Sequence, residues 1–468
     1  MKDRVMHSRR AFLRNTAFAT VGFVGLRTLV NHKLIGAGST GVVGYGSLFD
    51  DAQGLLKVPR GFSYTVFSRT GEEMVDGFLV PAAHDGMGAF PGPDGKTLLV
   101  RNHELTSKNP AGGAFGVNNE RLSLIPEGKI YDRGHGNAPN LGGTTTLVFD
   151  TRTQKMESHY LSLAGTARNC AGGPTPWGTW VTCEEMDKNP EPGAEQSHGY
   201  NFEVKSSSEV GLVTPVPLKA MGRFRHEAIA IDPKSGAVYE TEDLGDGLLY
   251  RFLPNEKTNL AAGGRLQALA LVDPTITDTR NWPGSKRLFP IGQALPVRWV
   301  DLDDPESPND DLRIRGVAMG AAPFGRGEGA WSTEAGIYFA MTSGGQKMLG
   351  QIFRYIPSPY EGTDKEAEKP GRLELFVEPN NSELLLNCDA LTVAPWGDLV
   401  ICEDHAGKCR LIGVTPGGQY YVIAENNLPQ NELAGACFSP DSSTLFFNVQ
   451  RPGYTVAITG PWANRAHA

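Results

Sequence analysis

The chain has 468 residues, 40% of them hydrophobic and 21% charged, with a net charge of −8 at pH 7. That balance excludes a disordered or fibrous chain, and the negative sign argues against nucleic acid as a partner. The 57 glycines and 32 prolines suit a turn-rich all-β protein, and the six cysteines show no CxxC spacing that would hold zinc.

Near the N-terminus, Ser8-Arg9-Arg10-Ala11-Phe12-Leu13 has the form of a twin-arginine export signature. The apolar run that follows, Ala17 to Leu26, is too short to span a bilayer. Residues 1–35 therefore read as a signal segment, 36–60 as a linker and 61–468 as one β-domain with long connecting loops. The expectation is export in the folded state by the twin-arginine machinery, to the periplasm or beyond, with no stable membrane insertion.

From the first strand near Phe62–Phe67 onward, one figure repeats. A short strand leads into a turn, and a second strand ends in a polar or acidic pair. Aligned on their turns, six such hairpins begin at Asp85, Cys170, Glu227, Glu328, Asp389 and Gly435. They end at His103-Glu104, Glu184-Glu185, Glu242-Asp243, Gly344-Gly345, Glu403-Asp404 and Val449-Gln450. The sixth is degenerate and lacks acids, which suggests one open side. A second repeat class, Gly247–Pro254 and Gly350–Pro357, follows the third and fourth hairpins as the next strand outward. Two repeat classes in the same order predict a six-bladed β-propeller.

In a propeller the six tips share one face, so that face would gather about ten carboxylates. Unpaired, they would repel strongly, and bound cations are the ready means of neutralising them. Oxygen ligands in number favour hard cations, while a thiolate at Cys170 points to a transition metal, iron fitting best. Cys183 and Cys402 precede acidic pairs and read as buried core. His103 and His226 adjoin ligand positions and read as structural. Arg326, in Gly325-Arg326-Gly327-Glu328-Gly329, has two readings: a partner for a carboxylate, or a clamp for a substrate oxyanion. Metals with one arginine suit a phosphoryl group.

Asn169-Cys170-Ala171-Gly172-Gly173 through Thr182-Cys183-Glu184-Glu185 resembles the hallmark of the PhoX-type alkaline phosphatases. Arg223-Phe224 with His226-Glu227, Thr241-Glu242-Asp243, Arg326-Gly327-Glu328-Gly329, Cys402-Glu403-Asp404, Asn431-Glu432-Leu433-Ala434-Gly435 and Gly460-Pro461-Trp462 match in order. The resemblance runs from about residue 55 to the end, with connecting loops trimmed relative to well-known members. It implies a monomeric propeller that hydrolyses phosphate monoesters with a cluster of ferric iron (Fe3+) and calcium (Ca2+). Cys170 would be the thiolate on iron. Glu185, Glu227, Asp243, Glu328, Asp389, Glu403 and Asp404 would be cluster ligands. Arg326 and Glu328 would be catalytic, Arg326 by binding the substrate phosphate. The alternatives are a calcium-dependent propeller lactonase or phosphodiesterase, and a non-catalytic propeller that binds calcium for stability.

Overall fold

The computed structural model describes residues 43–465 apart from 53, 137 and 187–192, so the 1–35 signal segment and its arginine pair lie outside the described residues. All six hairpins form, each antiparallel. His84–Pro91 pairs with Thr97–His103, Asn169–Pro174 with Thr179–Glu184, and His226–Ile231 with Val238–Glu242. Gly327–Thr333 pairs with Gly336–Met341, Cys388–Val393 with Leu399–Glu403, and Leu433–Phe438 with Thr444–Val449. Local side-chain chemistry sets the turns. In the third, the Asp232 carboxylate accepts from the backbone N–H groups of Lys234 (3.3 Å) and Ser235 (3.0 Å), the Asx pattern that reverses a chain.

The six leading strands lie side by side in cyclic order, and the sixth returns to the first. The result is an all-β, propeller-like arrangement. Outer strands complete the sheets: Gly142–Asp150 and Lys155–Thr166 extend the first hairpin, and Leu249–Pro254 and Gln351–Ile356 extend the third and fourth. Ala294–Leu302 pairs with Gly264–Leu271 on one side and Arg372–Val377 on the other, fusing the third and fourth units into one nine-stranded sheet. Ser63–Arg69 pairs with Tyr454–Thr459, so a strand from early in the chain finishes the last sheet.

Part of the segment expected to be a linker is sheet instead. Leu48–Asp50 and Leu56–Pro59 add two strands to the fifth unit. The reason is alternation: Leu56 and Val58 are buried, which holds that strand against its neighbour. Residues 105–141 form a cap over the first unit with a small core of their own, in which Phe115, Leu122 and Leu141 pack on Met74 and Phe78. Among the described residues no helix is long and apolar enough to cross a membrane.

At the head of every hairpin the register slips by one residue. His84 pairs with His103 and Met87 with Arg101, so Asp85 and Gly86 together face one residue on the partner strand. The same bulge falls at Cys170-Ala171, Glu227-Ala228, Glu328-Gly329, Asp389-Ala390 and Gly435-Ala436. A bulge re-aims the side chain it carries, here the residue at the leading position of each repeat. The second bulge residue is always Gly or Ala because the next unit passes close by. A Cβ on Gly86 would lie 2.6 Å from the Ala171 Cα, and one on Gly329 would lie 2.6 Å from the Leu391 nitrogen.

Candidate metal centre

The bulges deliver five of the six leading residues, Asp85, Cys170, Glu227, Glu328 and Asp389, to one end of the ring. Side chains of the trailing strands hold their backbones in place. Asn102 Nδ2 donates to the carbonyl of Cys170 (2.9 Å), Thr241 Oγ1 to that of Glu328 (2.6 Å), and Asn448 Nδ2 to that of Asp85 (2.5 Å). A backbone bond repeated six times fixes the trailing residues. The N–H groups of Glu104, Glu185, Asp243, Thr342, Asp404 and Gln450 donate to the carbonyls of Ala83, Arg168, Arg225, Arg326, Asn387 and Glu432 at 3.0–3.1 Å.

The side chains converge in three overlapping groups. Asp85, Glu104 and Cys170 form one, Cys170, Glu185 and Glu227 the next, and Glu227, Glu328 and Asp389 the third; within each, one ligand atom per residue lies within 4.8 Å of the others. Cys170 and Glu227 are each shared by two groups, so the three make one continuous line. At that spacing two full carboxylate charges repel by about 3 kcal/mol at an effective dielectric near 20. Burial and then this repulsion push Asp85, Glu227, Glu328 and Asp389 well above the usual carboxylate range. Burial, with Asp85 and Glu227 next, pushes the Cys170 thiol up. Glu185 rises to about 7 through burial, although Arg168 and Arg225 pull it down.

Asp243 and Asp404 flank the line. Asp243 is gripped by Arg326, whose Nε and Nη2 donate to its two oxygens at 2.7 and 2.9 Å, while Nη2 also lies 3.1 Å from Glu328 Oε1. Arg326 has φ of +59°, and its Nη1 has no hydrogen-bond partner among the described residues. Asp404 is half-buried and, after burial, does most to raise Asp389.

Glu403 departs from expectation. Its carboxylate accepts from Arg410 Nη2 (2.6 Å) and Nε (2.8 Å), and from the backbone N–H groups of Leu386 (2.9 Å) and Arg410 (3.0 Å). Burial raises it, but His405 and Arg410 outweigh that and hold it below its ordinary value. It braces the fifth unit and is no member of the cluster. Glu184 and Glu242, the matching residues of the second and third units, are spent the same way, on His198 and on Tyr250. His103 and His226 are structural, as expected: His103 bridges Ala82 and Thr145, and His226 bridges Gly222 and Glu240. Cys183 and Cys402 are fully buried, and all six cysteines are free.

Two further corrections concern the ends of the repeats. The fourth hairpin ends at Met341-Thr342, not Gly344-Gly345, because only residues 334–335 join its strands. The sixth unit is not without an acid. Glu432, half-buried just before its strand, is pushed well up by burial and then by the charges of Asp85, Asp389 and Asp404.

Sequence reasoning also passed over Arg168 and Arg225, which stand two residues before Cys170 and Glu227, as Arg326 stands before Glu328. Arg168 Nη2 donates to Glu104 Oε1 (2.5 Å) and Glu185 Oε2 (2.6 Å). Arg225 donates to Glu185 Oε1 and lies 3.8 Å from Asp243 Oδ2. Glu104, Arg168, Glu185, Arg225, Asp243, Arg326 and Glu328 therefore alternate in sign along one arc of the rim. Their shared column in the alignment was the available signal.

A propeller-like ring whose mouth gathers a thiol, a row of acids and three arginines has the donor groups of a metal-dependent hydrolase. A family model described as alkaline phosphatase PhoX matches residues 43–159 and 118–453. The chain belongs to that family, and it is an alkaline phosphatase. Among solved structures it is similar to PhoX of Pseudomonas fluorescens in complex with vanadate, a transition state analogue. The two share 18% identity over 92% of this chain and 99% of that one, with a TM-score of 0.65. A gluconolactonase from Xanthomonas campestris is more distant, at 10% identity over 90% of this chain and 100% of that one, with a TM-score of 0.38. No curated protein sequence matches.

Proposed function

We propose that this phosphatase is a monomeric six-bladed propeller that hydrolyses phosphate monoesters with an iron–calcium cluster at its mouth, exported folded through the twin-arginine pathway. The observation that supports this reading is the line of three ligand groups joined through Cys170 and Glu227, with Arg326 at its edge. The donor set fits such ions. Carboxylate oxygens in number suit calcium, the one thiol among them suits iron, and the buried Glu227 Oε1 has no hydrogen-bond partner among the described residues. Cys170, Glu185, Glu227, Asp243, Glu328, Asp389 and Asp404 would hold the ions, with Asp85, Glu104 and Glu432 beside them.

Bound there, such ions supply Lewis-acid neutralisation of the phosphoryl oxygens and an activated nucleophile. The protein supplies position. Asp243 fixes the Arg326 guanidinium by two hydrogen bonds, which leaves Nη1 to receive a phosphate oxygen. In the overall reaction the ester P–O bond breaks, an oxygen from water replaces it on phosphorus, and the departing alkoxide takes a proton. The test is phosphate release from p-nitrophenyl phosphate at alkaline pH by metal-replete protein, with iron and calcium measured on the same sample. Activity should vanish with a strong calcium chelator. A folded, metal-replete protein that hydrolyses no phosphate ester would overturn the reading.

A further inference from the structure

Beside the cluster lies a cavity of about 850 Å³, within the size range of small-molecule sites. Glu104 and Glu185 line it and also belong to the first two ligand groups, so its floor is the cluster's edge. Arg168 and Arg225 line the same floor, but both are committed to carboxylates. Lys108, from the cap over the first unit, and Arg451, from the turn after the sixth hairpin, line it as well. Both are exposed, and neither side chain makes a hydrogen bond or ion pair among the described residues.

The lining thus carries four cations against two carboxylates, on a chain whose net charge is −8. The two inner arginines and the two acids balance, so the surplus is Lys108 and Arg451. On the phosphatase reading, a phosphoryl group seated at the Glu104 and Glu185 edge of the cluster would have this space beside it for its leaving group. The cavity is too large for phosphate alone, and the surplus positive charge lies where that leaving group would go.

We propose that Lys108 and Arg451 form a subsite for a second anionic group. On this view the enzyme favours phosphomonoesters whose leaving group itself carries a carboxylate or phosphate. The inference rests on the phosphatase reading and adds the class of ester preferred.

The experiment compares glycerol 3-phosphate with 3-phosphoglycerate, which differ only in a hydroxymethyl against a carboxylate. The phosphoryl charge is common to both, so its attraction cancels in the ratio of their kcat/KM values and leaves the carboxylate's own, which is read at high salt, where long-range attraction is screened. The holoenzyme should favour 3-phosphoglycerate, and Lys108→Gln combined with Arg451→Gln should lower that ratio about tenfold, chiefly through KM. The single variants should each lower it by about threefold. An unchanged ratio, or equal loss on both substrates, overturns the subsite, since the two cations would then only offset the cluster's charge. Release of phosphate from neither substrate by the holoenzyme would instead defeat the phosphatase reading itself.

Discussion

Glu403 ends its strand and Asp404 follows it, and their side chains serve different ends, so alanine at each should fail differently. In Glu403→Ala the Arg410 guanidinium, 15% exposed, loses its carboxylate, and two backbone N–H groups lose an acceptor that is fully buried. Breaking a buried pair costs about 3–5 kcal/mol. Unfolding entropy of roughly 2 cal/mol/K per residue gives a domain of this size about 0.9 kcal/mol/K. Each kcal/mol is then worth about 1 °C, and the melting midpoint should fall by about 3–5 °C. Iron and calcium content should stay intact. Asp404→Ala, compared with wild type after chelation, should melt no lower, because it removes a repelling neighbour of Asp389. Reloaded, it should bind less metal and release less phosphate. Calorimetry with elemental analysis decides. Metal loss without a lowered midpoint in Glu403→Ala, or full metal retention in a less stable Asp404→Ala, would refute the division of roles.

Other outcomes follow from the same geometry. Arg326→Ala should lower kcat/KM for p-nitrophenyl phosphate by about two orders of magnitude, and Arg326→Lys should not restore it, since an ammonium cannot hold Asp243 bidentately and still present a free donor. Cys170→Ser should lose iron while retaining calcium, read by elemental analysis. Gly329→Ala should lower stability by about 1–3 kcal/mol and disturb metal binding, because its Cβ would lie 2.9 Å from the Asp389 carbonyl. His198 is lowered by burial, but Glu184 and Asp132 outweigh that and lift it to about 10. Its folded value lies above an unfolded value near 6.5, so its contribution is complete below about pH 6.5 and is lost as pH rises towards 10. The stability gap between wild type and Asp132→Asn should therefore shrink between pH 6.5 and pH 10; a constant gap would show that His198 is not charged in the native state.

The hairpins were legible because turn residues and acids recur together, and both are local signals. What the alignment could not resolve was direction. Glu403 is the last residue of its strand and Asp404 lies just beyond it, so the two point different ways, yet an alignment on turns treats the pair as one unit. The bulge is a relation between two strands, and the small residue at its second position, Gly or Ala in every repeat, is the one mark it leaves in the sequence. Glu432 escaped because it precedes its strand and stands outside the aligned column. The fourth hairpin was misread because its turn is shorter than the rest, so counting from the turn overshot. Arg168 and Arg225 were visible in the column of Arg326 but look ordinary until Glu104, Glu185 and Asp243 are seen between them.

The pairing of Ser63–Arg69 with Tyr454–Thr459 sets an order of assembly. During synthesis the last of these strands emerges only after nearly all the others, and until it docks the circle stays broken. Asp85 belongs to the first unit and Glu432 leads into the sixth, so they stand on either side of that break. On the proposed reading, ions would find a finished cage only once that pairing has formed, and such distant strand pairing is slow to form.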